Sequence, residues 1–209
     1  MVVIIVILLI SIGEVAFERI GFSSLEYTLI LVSTLVGSAI NIPVATVNSK
    51  EPILEIQEVR VFGLYYRIPR VKRVSTVIAV NVGGAVIPSI VSIYLLVAHT
   101  RLLPEAMAGS IFTAFVVHLM AKKVRGVGIV TPALLPPIVA AVIAYLLAPG
   151  SPAIVAYVSG TLGALIGADL TNLHDINKLG APMASIGGAG TFDGVFLTGL
   201  AAVLLVPLL

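Results

Sequence analysis

Apolar residues in this chain run in long blocks, and polar residues gather between them. Blocks bounded by charged or Pro/Gly-rich stretches fall near 1–17, 25–47, 75–98, 105–121, 128–148, 152–170 and 191–209. About 20 helical residues cross a hydrocarbon core of ~30 Å. The pattern therefore predicts an all-α integral membrane protein of about seven transmembrane helices, forming one domain over 1–209. The first and fourth blocks are short. Glu14 and Glu18, one turn apart, allow the first to be an interfacial helix, and six spans is then the count. The start, Met1 to Gly13, lacks the basic leader and cleavage site of a secretory signal and reads as a retained segment.

Between the second and third blocks, residues 48–74 are rich in β-branched and aromatic side chains: Val59, Val61, Phe62, Tyr65, Tyr66 and Ile68. Gly63 offers a turn between two extended runs, which predicts a small β-hairpin; alternation breaks around Ile56 to Glu58, leaving a bulge or coil as the alternative.

Composition agrees with lipid as the solvent. Of 209 residues, 59% are hydrophobic and 11% charged, and mean hydropathy is +1.16. A soluble domain with this balance would expose large apolar patches. Cysteine is absent, which excludes disulfides, thiolate nucleophiles and cysteine-ligated metals. His99, His118 and His174 show no ligand spacing, so neither a metal nor another cofactor is expected. A net charge of +2 on so apolar a chain points to the bilayer as partner and not to nucleic acid. With seven spans, Lys50, Arg60, Arg67, Arg70, Lys72, Arg73, Lys122, Lys123, Arg125 and Lys178 share one side. These are ten of the twelve basic residues, so that side is expected to be cytoplasmic in the cell membrane, with the N-terminus inside and the C-terminus outside. Arg67 to Arg73 reads as a juxtamembrane anchor on anionic lipid.

Polar groups inside apolar segments are costly and mark packing or function. Five qualify: Asn41-Ile42-Pro43, Asn81-Val82-Gly83-Gly84, Pro132 through Pro137, Gly167-Ala168-Asp169, and Gly187 through Gly194. All five fall at the inner leaflet in the seven-span orientation. Asp169 and Asp193 form the candidate centre. Pro132, Ala133, Leu134, Asn41, Asn81, Gly188 and Gly190 are the candidate substrate-contacting residues. Each has a simpler reading. Asp193 suits the first turn of a helix capped by Thr191, and Asp169 a solvated helix end. The asparagines suit interhelical hydrogen bonding, and the glycines tight packing. Pro132, Pro136 and Pro137 should break or kink the fifth block. His118 is expected to snorkel or to bond a carbonyl, and His174 with Asp175 to lie in a loop.

Gly167-Ala168-Asp169-Leu170, Gly180-Ala181-Pro182 and Ile186 through Gly199, with Pro132-Ala133-Leu134 before them, resemble a family of small prokaryotic membrane proteins filed as a domain of unknown function. The resemblance runs from Asn41 onward and implies a multi-span fold without an activity. A looser resemblance is to intramembrane aspartyl proteases of the presenilin, signal-peptide-peptidase and prepilin-peptidase type. It implies that Asp169 matches their first catalytic aspartate, Asp193 the second, and Pro132-Ala133-Leu134 their Pro-Ala-Leu motif. Phe192 stands where that family has Gly, Ala168 where it has Tyr, and the Pro-Ala-Leu run precedes the pair instead of following it.

Three functions are compatible with these residues: proteolysis of a membrane protein by the two aspartates, ion- or proton-coupled transport through the same polar groups, and a non-catalytic membrane scaffold. A faint parallel repeat, Asn81-Val82-Gly83-Gly84-Ala85 against Ser185-Ile186-Gly187-Gly188-Ala189, favours transport.

Overall fold

In a computed structural model of the chain, the structure describes residues 2–48, 53–61, 64–72, 75–124, 128–178, 181–188 and 194–209. The fold is mostly helical. Seven helices, α1 (Val2–Arg19), α2 (Ser24–Ser38), α3 (Ile87–Ala98), α4 (Leu103–Met120), α5 (Leu135–Leu147), α6 (Pro152–Ala164) and α7 (Gly194–Leu205), are interleaved with strands β1 (Asn41–Asn48), β2 (Ile53–Val61), β3 (Leu64–Lys72), β4 (Ser75–Asn81), β5 (Lys122–Val124), β6 (Gly128–Val130) and β7 (Met183–Ile186). Residues Val82–Val86 enter α3 as a π-helical turn, Leu165–Asp169 leave α6 as another, and Leu170–Lys178 continue as 3-10 helix.

Among the described residues, two helices are long and apolar enough to cross a membrane, Thr100–Met120 and Pro152–Asn177. A third span is available if Ile10–Arg19 and Ser24–Ser38, bent by 120° at their junction, count as one. The bend has local causes. Gly21 adopts φ +98°, Ser23 and Glu26 form a reciprocal capping box that starts α2, and Phe17 stacks on Phe22 and Tyr27 at centroid distances of 5.5 and 5.0 Å. Phe17 also meets Tyr157 and Phe196, which pins the bend to α6 and α7.

Several expected spans are shorter than the apolar blocks that suggested them. Block 25–47 turns from helix to strand after Ser38, and block 75–98 is strand up to Asn81. Runs such as Ile42-Pro43-Val44-Ala45-Thr46-Val47 and Thr76-Val77-Ile78-Ala79-Val80 are rich in β-branched residues, and an apolar run lacking periodicity does not separate buried strand from helix. Block 128–148 is helical only from Leu135. Pro136 and Pro137 occupy its first turn, where a missing N–H costs nothing. They begin the helix instead of kinking it.

β1, β4 and β7 form one sheet in that order, with β1 antiparallel and β7 parallel to β4. β2 pairs with β3 on either side of Phe62-Gly63, Ile53 opposite Lys72 and Val61 opposite Leu64. β5 and β6 make a second, short hairpin. Below the sheet a small core joins Ile78, Ala85, Leu165, Ile176, Ile186 and Val195. The larger core lies among the helices around Phe17, Tyr157 and Phe196.

Polarity is inverted relative to a soluble protein. Val97, Ile111, Phe115 and Leu119 are exposed, whereas Thr113, Ser159, Thr161 and Asn81 are at most 1% exposed. Glycines admit the close contacts. A Cβ at Gly163 would lie 2.6 Å from Thr113, and one at Gly167 2.4 Å from the Ala114 carbonyl, so α4 and α6 approach at backbone distance, as small residues allow in membranes.

Candidate functional site

Asn41 and Asn81 are register partners at the end of the sheet, one on β1 and one on β4. They were expected on facing helices; the strands that carry them bring them together instead. Asn81 Nδ2 donates to the Ser38 carbonyl at 2.8 Å and to Asn41 Oδ1 at 3.1 Å. Its Oδ1 accepts from the Gly84 N–H at 2.8 Å and so caps the π-helical turn that follows. Ser185 on β7 donates to Asn41 Oδ1 at 2.6 Å. One amide pair and one hydroxyl thus join the ends of all three strands to the end of α2. The arrangement satisfies a carboxamide that is only 1% exposed, as burial requires.

The chain after β7 folds back over this knot. Gly187 has φ +78°, a conformation L side chains rarely adopt, and a Cβ there would come within 2.6 Å of Ala85. At Gly188 an added Cβ would lie 2.8 Å from the Asn81 side chain. These glycines are needed for close packing, the simpler of their two readings. Asp169, the last residue of the second π-helical turn, is half-buried and accepts from the Gly187 N–H at 2.6 Å. The helix was expected to end at Asp169, but it continues past it as 3-10 helix, so the carboxylate sits inside a helical segment and is met by a backbone donor from another element.

Asn41, Asn81, Gly188 and Asp169 therefore converge on residues 185–188. Pro132, Ala133 and Leu134 do not line this knot; they are exposed in the entry to α5, Leu134 at 75%. Gly190 and Asp193 lie outside the described residues. Val195, at the start of α7, shares the small core with Leu165 and Ile186.

A second polar group lies beside the first. Asp175, 4% exposed, pairs with Lys123 on β5 and lies 3.1 Å from His174 Nε2. His118 Nδ1 sits 2.8 Å from Thr171 Oγ1, and the buried Asn172 donates to the carbonyls of Gly167 and Ala168. Residues 174 and 175, expected in a loop, are 3-10 helix, and His118 meets a hydroxyl in place of a carbonyl. The Lys123 to Asp175 pair was not foreseen. Its only trace in the sequence is an acid in the polar run Thr171 to Lys178 and a cation far upstream.

The fold and its polar knot define a predominantly helical protein with apolar helices of membrane-spanning length, their ends gathered by a small mixed sheet. The chain belongs to the DUF1614 family of proteins of unknown function, whose model matches residues 35–205. No curated protein and no solved structure matches it.

Proposed function

We propose that the protein is an intramembrane aspartyl protease with Asp169 and Asp193 as its acid–base pair. The carrying observation is that the Asp169 carboxylate is docked on the Gly187 N–H at the end of β7, an edge strand among the described residues. A free strand edge can bind an extended peptide through backbone hydrogen bonds, and a peptide added there would run its carbonyls past Asp169. One carboxylate takes a proton from water as its oxygen attacks the scissile carbonyl carbon. The other, protonated, donates to the carbonyl oxygen. Collapse of the resulting diol breaks the C–N bond, and the leaving nitrogen takes up a proton. Two carboxyls brought together would suit this division, because close carboxyls do not both ionise cheaply.

The side of the membrane is part of the proposal. Strands β2, β3 and β5 carry Arg60, Arg67, Arg70, Lys72, Lys122 and Lys123 in their sequence, and the positive-inside rule supports putting them, with the site, on the cytoplasmic side.

The test is cleavage of a single-span reporter in proteoliposomes. Asp169→Asn and Asp193→Asn should each reduce product by about a hundredfold or more. Retained cleavage in both variants sinks the assignment. A second reading, ion-coupled transport, is favoured by a different observation: π-helical turns lie beside Asn81 at the start of α3 and at Asp169 after α6, and the two similar Gly-Gly motifs follow the parallel strands β4 and β7. Aspartate-dependent solute flux without peptide products would select it.

A further inference from the structure

Ile111, Ala114, Phe115 and His118 follow one another at i, i+3, i+4 and i+7 and so form one stripe of α4. With Ile166 and Thr171, from the turns that continue α6, they line an open groove of about 270 Å³ whose wall is almost entirely carbon. Ala114, buried against Gly167, lies at its base, and Ile111 and Phe115, 67% and 60% exposed, form its rim. One end holds a histidine whose tautomer follows from its neighbours. His118 Nδ1 lies 2.8 Å from Thr171 Oγ1. The single hydroxyl proton of Thr171 goes to the Gly167 carbonyl at 2.9 Å, and the Asn172 amide donates to the carbonyls of Gly167 and Ala168 at 3.1 and 3.0 Å. Neither neighbour has a proton left for Nδ1, so Nδ1 carries the hydrogen and Thr171 Oγ1 accepts it. In the neutral ring Nε2 is then an acceptor, and among the described residues nothing bonds it. Four residues on, where α4 gives way to β5, Lys122 stands exposed.

We propose that this groove holds one acyl chain of an anionic glycerophospholipid, with a headgroup hydroxyl donating to His118 Nε2 and the phosphate meeting Lys122. The groove opens on the exposed apolar face of α4, so its occupant comes from the hydrocarbon. Its length fits a chain: the rise from Ile111 to His118 is ~10 Å, within one leaflet of a ~30 Å core. A second helix, about 10–12 Å across with its side chains, is too wide to enter so narrow a space. The polar end then selects the headgroup. An acceptor beside a cation calls for a donor and a negative charge on the same molecule, which a glycerol phosphate supplies and a choline phosphate, lacking any N–H or O–H, does not. The site uses neither aspartate, so it stands or falls apart from the protease reading.

The experiment is native mass spectrometry of the full chain in detergent, titrated with phosphatidylglycerol or with phosphatidylcholine carrying the same acyl chains. The wild type should retain phosphatidylglycerol about tenfold more tightly. His118→Phe, which keeps a ring but loses the acceptor, and Lys122→Gln should each reduce that preference by about fivefold, the worth of one hydrogen bond. Ile111→Trp, which fills the groove from its exposed rim, should weaken retention of both lipids by about tenfold. Ile111 and Lys122 are exposed, so melting temperatures measured without added lipid should match the wild type and separate loss of the site from loss of the fold. Equal retention of the two lipids by the wild type overturns the proposal. So does wild-type behaviour of all three variants, or a dimer that Ile111→Trp dissociates, which would make a second copy of the chain the occupant.

Discussion

Asn81 joins three parts of the knot, the Ser38 carbonyl, the Asn41 side chain and the Gly84 N–H. Replacing it by Leu, similar in volume, strands the Ser38 carbonyl and the Gly84 N–H. A loss of about 3 kcal/mol is expected, since unmet buried groups cost about 1–3 kcal/mol each; thermal unfolding in detergent measures it. Gly83→Ala should be comparably damaging, by about 2–3 kcal/mol, because its Cβ would fall 2.1 Å from the Thr34 carbonyl and drive α2 away. Positions of this kind were legible in the sequence as polar or glycine interruptions of apolar runs, Asn41, Asn81, Asp169 and Gly187-Gly188 among them. What brings them together was not, because their contacts depend on a sheet whose strands read as ordinary span ends. Asp175 with Lys123 was invisible for a simpler reason: nothing local ties two charges so far apart in the chain.

At the level of elements, the break between helix and strand recurs at the points where the sequence offered only continuous hydrophobicity. A mainly apolar block of about 20 residues suits a spanning helix, yet β-branched content decides the matter near Ile42 and Val77. The two hairpins differ in how they are tied in. β5–β6 is held by Lys123 to Asp175 and by Ile129 packing beneath the sheet, whereas β2 and β3 pair with each other along their whole length. Replacing residues 53–72 by a short Gly/Ser linker should therefore leave the melting temperature within about 2 °C of wild type, while Lys123→Met should lower it by about 4–8 °C by taking the lysine cation away from a buried acid. Calorimetry of the two variants compares them directly.

For the whole molecule, large apolar side chains such as Val97, Ile111 and Leu119 are exposed while the hydroxyls of Thr113, Ser159 and Thr161 are buried, so orientation in a bilayer is the property to measure first. The absence of cysteine gives a background free of labelling. Tyr65→Cys in the hairpin, 69% exposed, should react with an impermeant maleimide only in inside-out vesicles. Gly150→Cys, between α5 and α6 with nothing within 4 Å of its Cβ, should react only in right-side-out vesicles. The reverse result would invert the proposed sidedness. The parallel ladder of β4 and β7 adds a constraint of another kind, on time. Val77 must wait for Met183, and Ala79 for Ser185, across roughly a hundred intervening residues. A nascent chain threading into the membrane thus carries Asn41, Asn81 and Asp169 unsealed until its last helix is about to emerge, and a ribosome that stalls before β7 releases a product marked for removal by its own open sheet edge.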